Sequence, residues 1–282
     1  MRDGYAIPIR CVAACVGLVA LAGSAWADFL TGKAAFEARN YADAYLQLLP
    51  AGQAGDPRAQ FLLGQLSDNG LGPVALDPVE AARWYRKAAD AGHAEAQFAL
   101  ARAYALGRGV PQDKNQALLW LTRAAENGFD QAILDLARLY EEGRGVEKDQ
   151  VRATGLIERA ARAGSAEAQY LYAERLAAGI GIERNEQAAW EWFRRAAANG
   201  HPAALYRLGR VHVNAGASIE NTIDAYVWLT LAEQRGSGDV KRNAARDRAE
   251  LAKSMTPDDI ATAMARVKEW RPAATKTAEK RG

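Results

Sequence analysis

The sequence predicts an all-α solenoid, and three observations carry that expectation. Five glycines, Gly92, Gly128, Gly164, Gly200 and Gly236, stand 36 residues apart. A fixed period of this size marks a chain of supersecondary units, each burying its apolar face against the next. Small residues keep the same register: Ala96, Ala132, Ala168 and Ala204 with Ala59, and Ala81, Ala117, Ala153, Ala189 and Ala225. Alanine favours helix and lets neighbouring helices approach closely. Two columns of large side chains complete the pattern. Trp84, Trp120, Leu156, Trp192 and Trp228 form one, and Leu63, Leu100, Leu136, Tyr172 and Leu208 the other.

Each unit reads as helix, loop, helix. The five are 56–92, 93–128, 129–164, 165–200 and 201–236, the first longer by one residue. In the second, residues 94–105 set Ala96, Leu100, Ala101 and Tyr104 at helical spacing. The turn Gly107-Arg108-Gly109-Val110 follows, with counterparts at Gly143-Arg144-Gly145-Val146 and Gly179-Ile180-Gly181-Ile182. The second helix opens at a capping residue: Asp77, Asp113, Asp149, Asn185 or Asn221. Asp77-Pro78-Val79-Glu80 is the fullest such start, with proline at the first helical position. The closing glycine of each unit suits the left-handed backbone just past a helix end.

The flanks extend the helical pattern. Residues 28–55 read as N-terminal capping helices, with Ala34, Phe36, Tyr41, Ala44 and Tyr45 as apolar positions. Residues 237–271 read as C-terminal capping helices. There Thr256-Pro257-Asp258-Asp259 starts a last helix with Ile260, Met264 and Val267 on one face and Trp270 at its end. Residues 272–282 read as a disordered basic tail.

The first 27 residues read as a secretory signal: Arg2 and Arg10, then the apolar run 11–23, then Ala25-Trp26-Ala27. Cleavage is expected between Ala27 and Asp28, and a bacterial periplasm is the expected location. A lipid-anchored alternative at Cys15 is disfavoured because Arg10 interrupts the run before it. The apolar run falls short of the roughly 20 residues a membrane span needs. Both cysteines, Cys11 and Cys15, lie inside this leader, so the expected mature chain has no thiol for disulfides, nucleophilic chemistry or zinc. The 282-residue chain carries a net charge of only +2, which argues against nucleic acid as partner.

The combined pattern A-x-A-x-x-x-L-A-x-x-Y, G-x-G-V, D-x-x-x-A-x-x-W and A-A-x-x-G resembles the Sel1-like repeat family. Residues 93–128 carry every element, and the resemblance runs from about Asp56 to Gly236. The fourth and fifth units depart from it. Leu176 and His212 replace the tyrosine, and Gly216-Ala217-Ser218 replaces the Gly-x-Gly turn. The resemblance implies a right-handed, tetratricopeptide-related α-solenoid and a non-catalytic scaffold or adaptor role. It also implies that a signalling or envelope-assembly protein is the kind of partner held. Some secreted relatives are linked to β-lactam binding or hydrolysis, but those are cysteine-rich. A hydrolase of that type and a peptidoglycan-binding protein are therefore the alternatives.

No catalytic, cofactor or metal motif emerges. His93 and His201 share one register position, where a helix start is the expected role, and His212 takes a core tyrosine position. Ser165 and Ser254 lack the S-x-x-K context of an acylating serine. By analogy with tetratricopeptide repeats, the first helix of each unit lines a concave face. Its inward row would be Phe61, Phe98, Leu134, Tyr170 and Tyr206, and one turn along lie Gln65, Arg102, Arg138, Glu174 and Arg210. Aromatic residues beside arginines suit a peptide with acidic groups. Packing between repeats is the plainer use of the same rings.

Overall fold

The computed structural model describes residues 29–214 and 219–273. The expected secretory leader, the Gly216-Ala217-Ser218 segment and residues 274–282 of the basic tail lie outside them. The described residues form fourteen α-helices and no strand. They divide into two compact units that meet within one helix, the first ending at Ala132 and the second beginning at Ile133. The fold class is the all-α helical-repeat solenoid.

The first unit contains α1 (residues 29–37), α2 (Tyr41–Gln53), α3 (Pro57–Asn69), α4 (Pro78–Asp90), α5 (Ala94–Leu106), α6 (Lys114–Glu126) and the start of α7 (Asp130–Glu142). Its core begins at Phe29, Ala44, Leu48 and Ala51 and continues through Leu63, Leu66 and Trp84. Leu100 and Ala96 are fully buried farther along the chain, and Trp120 is nearly so. Three of these helices start at an aspartate cap. Asp56 accepts from the Arg58 and Ala59 amides ahead of α3, and Asp77 and Asp113 do the same for α4 and α6.

The second unit holds the rest of α7, then α8 (Gln150–Ala163), α9 (Ala166–Ala178), α10 (Glu186–Ala198), α11 (Pro202–Asn214), α12 (Ile219–Arg235), α13 (Gly238–Ala252) and α14 (Pro257–Glu269). Asp149, Ser165 and Asn185 cap α8, α9 and α10. The last helices close the core by burying Ala244, Ala263 and Val267 against Leu205, Leu208, Tyr226 and Leu231, with Trp270 packed on the edge. A capping box fixes the start of α14: Thr256 Oγ accepts from the Asp259 amide, and the Asp259 carboxylate accepts from the Thr256 amide.

The fifth repeat differs from the expectation in two places. Asn221 is not a cap, because Ile219 and Glu220 before it are already helical. Gly236 does not adopt positive φ. Its amide continues the helical bonding to Ala232 O at 2.8 Å, and Gly238 turns instead, at φ +52°. The four earlier glycines hold φ between +83° and +106°. The lengthened α12 (17 residues against 13 in α10) explains both shifts, since the helix overruns the register at each end. One alanine of the second column, Ala117, is half-buried, whereas Ala81, Ala153, Ala189 and Ala225 are buried.

The turns at Gly107-Arg108-Gly109 and Gly179-Ile180-Gly181 each show a use for two glycines. Gly107 ends α5 in the left-handed region at φ +68°. Gly109 then lies so close to the start of α4 that a Cβ would meet the Pro78 carbonyl oxygen at 1.8 Å. In the second unit, a Cβ on Gly181 would lie 2.1 Å from Gln150 O at the start of α8. There the Thr154 hydroxyl donates to Ile180 O at 2.9 Å and fastens the turn to the helix.

Candidate functional site

In the first unit, Phe61 and Gln65 share one face of α3, and Phe98 and Arg102 one face of α5. Residues four apart on a helix lie one above the other. All four line a half-open groove of about 430 Å³, within the ordinary size of ligand-binding clefts. Tyr85, Leu106, Phe129, Asp68 and Arg108 complete its walls. Gly64 makes room for one wall: a Cβ there would lie 2.5 Å from the Tyr85 ring.

The groove rings also join consecutive repeats. Phe61 stacks on the His93 imidazole with centroids 5.0 Å apart and leans on Tyr85 at 5.9 Å. Phe98 meets Phe129 at 5.1 Å. Each row residue thus packs on the first residue of the next repeat while still lining the groove. Phe61 and Phe98 make the packing contacts between repeats and also line the groove.

The polar groups of the groove are mostly paired. Arg108 Nε lies 3.0 Å from Asp68 Oδ1, and the Asp68 carboxylate also acts on the Tyr85 phenol. Burial, with the Asp68 charge beside it, pushes the Tyr85 phenol far above its ordinary pKa. Glu95 sits 3.3 Å from His93 Nδ1. Arg102 is exposed and forms no ion pair among the described residues. Sequence reasoning found Arg102 but missed Asp68, Tyr85, Leu106, Arg108 and Phe129. Arg108 was legible only as the middle of a turn, and its partner Asp68 lies 40 residues earlier.

The remaining row residues belong to the second unit, where Arg138, Tyr170, Glu174 and Tyr206 meet partners within the chain. Leu134 is half-buried on α7, and the exposed Arg138 lies 3.6 Å from Asp135. The Tyr170 hydroxyl donates to Glu174 at 2.9 Å, and its ring stacks on His201 at 4.4 Å. Burial and then the Glu174 bond push the Tyr170 phenol up to about 12. The Tyr206 hydroxyl donates to Asp247 on α13 at 2.8 Å. Arg210 is exposed on α11. Glu174 and Tyr206 are therefore engaged internally, a use the sequence did not reveal.

The histidines and serines weighed for chemistry serve helix ends. His93 Nδ1 accepts from the Ala96 amide and His201 Nδ1 from the Ala204 amide. His201 Nε2 lies 2.9 Å from Glu167, whose carboxyl is held below its ordinary pKa by that bond. His212 is half-buried in the last turn of α11. Ser165 Oγ accepts from the Ala168 amide, and Ser254 Oγ donates to Leu251 O. Among the described residues, no three His, Cys, Asp or Glu side chains gather as a metal site, and no helix is long and apolar enough to cross a membrane.

Comparison with known proteins gives a consistent answer. The Sel1 repeat model matches residues 57–93, 94–129, 130–165, 166–201 and 202–237. A protective antigen of uropathogenic Escherichia coli displaying an SLR fold is similar over 93% of this chain, at 26% identity and a TM-score of 0.66. The chain spans only 56% of that antigen's length. A Sel1 repeat protein from Oxalobacter formigenes is similar at 31% identity and a TM-score of 0.60, covering 76% of this chain and 87% of the other. No curated protein matches.

Proposed function

The chain belongs to the Sel1 repeat family, whose fold is typically used for protein–protein interaction, and from that premise we propose that it is a non-catalytic, exported adaptor. It holds a protein partner through the groove of the first unit. The observation that carries this reading is the groove itself: Phe61 and Phe98 line an open cleft beside an exposed, unpaired Arg102. Aromatic and arginine side chains are the usual anchors of protein interfaces. A signalling or envelope-assembly protein remains the kind of partner proposed.

The periplasmic location rests on the leader pattern of residues 1–27. Cell fractionation with mass spectrometry of the N-terminus tests it. A mature chain starting at Asp28 in the periplasmic fraction is expected, and an intact cytoplasmic chain would overturn it.

The hydrolase alternative gains nothing from the geometry, since Ser165 and Ser254 and the histidines His93 and His201 are engaged at helix ends. The adaptor reading is tested by partner capture from the periplasm with the wild type, Phe98→Ala and Arg102→Glu. A partner retained by the wild type and lost by both variants is expected. Equal capture by all three would remove the groove from the account.

A further inference from the structure

The groove of the first unit holds a cation with no ion-pair partner, and its place between apolar side chains indicates what the groove takes. Four charged side chains line it: Asp68, Glu95, Arg102 and Arg108. Asp68 and Arg108 pair at 3.0 Å, and Glu95 lies against the His93 imidazole. Of the two arginines that line the groove, Arg102 is the one without an ion pair among the described residues. It stands on α5 between Phe98, one turn before it, and Leu106, one turn after it. Leu106 is 68% exposed, and all three face the same groove. Helix α5 thus presents an apolar, cationic, apolar row.

Resting on the reading of this groove as the partner site, we propose that it takes an acidic peptide segment of a protein partner, with a carboxylate on Arg102 and an apolar side chain to either side. A guanidinium binds a carboxylate in a bidentate fork, which fixes position as well as charge. The row spans eight residues of helix, about 12 Å at 1.5 Å per residue. An extended chain covers that length in roughly four residues. The favoured segment therefore reads apolar, any, Asp or Glu, any, apolar. Phe61, Phe98 and Phe129 offer rings to one apolar side chain, and Leu106 meets the other. The groove is half-open rather than enclosed, which suits a peptide segment better than a fully buried small molecule.

Selection of phage-displayed random 12-residue peptides on the purified protein tests the assignment, with Arg102→Glu and Phe98→Ala proteins selected in parallel. Circular dichroism confirms that each variant keeps wild-type helicity, which is expected of the exposed Arg102. The wild type should enrich the apolar–x–acid–x–apolar pattern. Arg102→Glu should bind those peptides at least about tenfold more weakly and enrich Lys or Arg at the central position. Peptides that need Phe98 but show no acidic preference, and bind Arg102→Glu equally, would overturn the acidic assignment and leave the groove standing. If no peptide favours the wild type over Phe98→Ala, the groove reading fails along with it.

Discussion

The side-chain amide of Asn127 donates to Gln97 Oε1 at 2.9 Å, completing a buried glutamine whose own amide donates to Ala89 O at 3.0 Å. The same latch recurs two repeats later, with Asn199 on Gln169 at 2.9 Å and Gln169 on Ala161 O. In the first repeat Gln60 keeps its bond to Gly52 O, but Ala91 stands where the asparagine would be. Gln60 Oε1 is buried and has no hydrogen-bond partner.

Ala91→Asn should therefore stabilise the protein, by about 1 kcal/mol, the net worth of one added hydrogen bond. The backbone is ready for it: Ala91 has φ −80° and ψ 3°, and Asn127 has φ −78° and ψ 8°. Asn127→Ala should lose about 1–3 kcal/mol, because it orphans Gln97 in the same way. Urea unfolding of the three proteins measures both effects, and a destabilised Ala91→Asn would contradict the latch.

Two glycines with positive φ should respond differently to alanine. Gly164 sits at φ +106° with open space around a Cβ, so Gly164→Ala meets backbone strain alone, of order 1–2 kcal/mol. Gly164→Val should exceed about 1 kcal/mol because a β-branched side chain resists that φ. Gly109→Ala adds a collision with the Pro78 carbonyl to its strain at φ +73° and should cost clearly more than Gly164→Ala. Thermal midpoints in the reverse order would remove the close approach from the account.

The proportion of this fold legible in sequence follows from what repeats. The alanine columns, the caps of α4, α6, α8 and α10 and the glycine ends could be read because each recurs at a fixed interval. Asn221 and Gly236 misled for the same reason: α12 is longer than its register allows, and a period cannot announce its own exception. Half of the groove was legible, since Phe61, Phe98 and Arg102 follow helical spacing. Its other wall was not, because Asp68 meets Arg108 across 40 residues; in the second unit Asp247 likewise meets Tyr206 across 41. The latch left a readable trace, asparagine 30 residues after glutamine in two repeats.

Stability should fall with acid partly through His93. Burial lowers its pKa from 6.5 against the opposing charges of Glu95 and Asp56, with Arg58 adding to the depression. The unfolded chain then binds the proton more readily, so stability is lost as pH falls through 6.5. Protonation at Nδ1 would also cancel the acceptor that caps the Ala96 amide. His93→Asn keeps a capping acceptor without titrating, and its melting temperature should vary less between pH 7 and 5. Parallel curves for variant and wild type would exclude His93 as a source of the pH dependence.

At the far end, Thr256→Ala removes the hydroxyl that accepts from the Asp259 amide and leaves only the main-chain half of the capping box. It should destabilise by about 1 kcal/mol, with the amides of α14 exchanging faster than those of α9. Hydrogen exchange resolves the two helices, and uniform protection would show that the hydroxyl is dispensable.

Where Gly109 lies against Pro78 and Gly181 against Gln150, main chain rests on main chain. At the Gly109 joint the nearest atoms are all main chain, so no side chain sets its spacing. Mutation can restyle the surfaces of these repeats freely, but their step is set by atoms every residue shares. Anyone splicing an extra repeat into this chain should transplant the turn together with the helix start it rests on, as a single part.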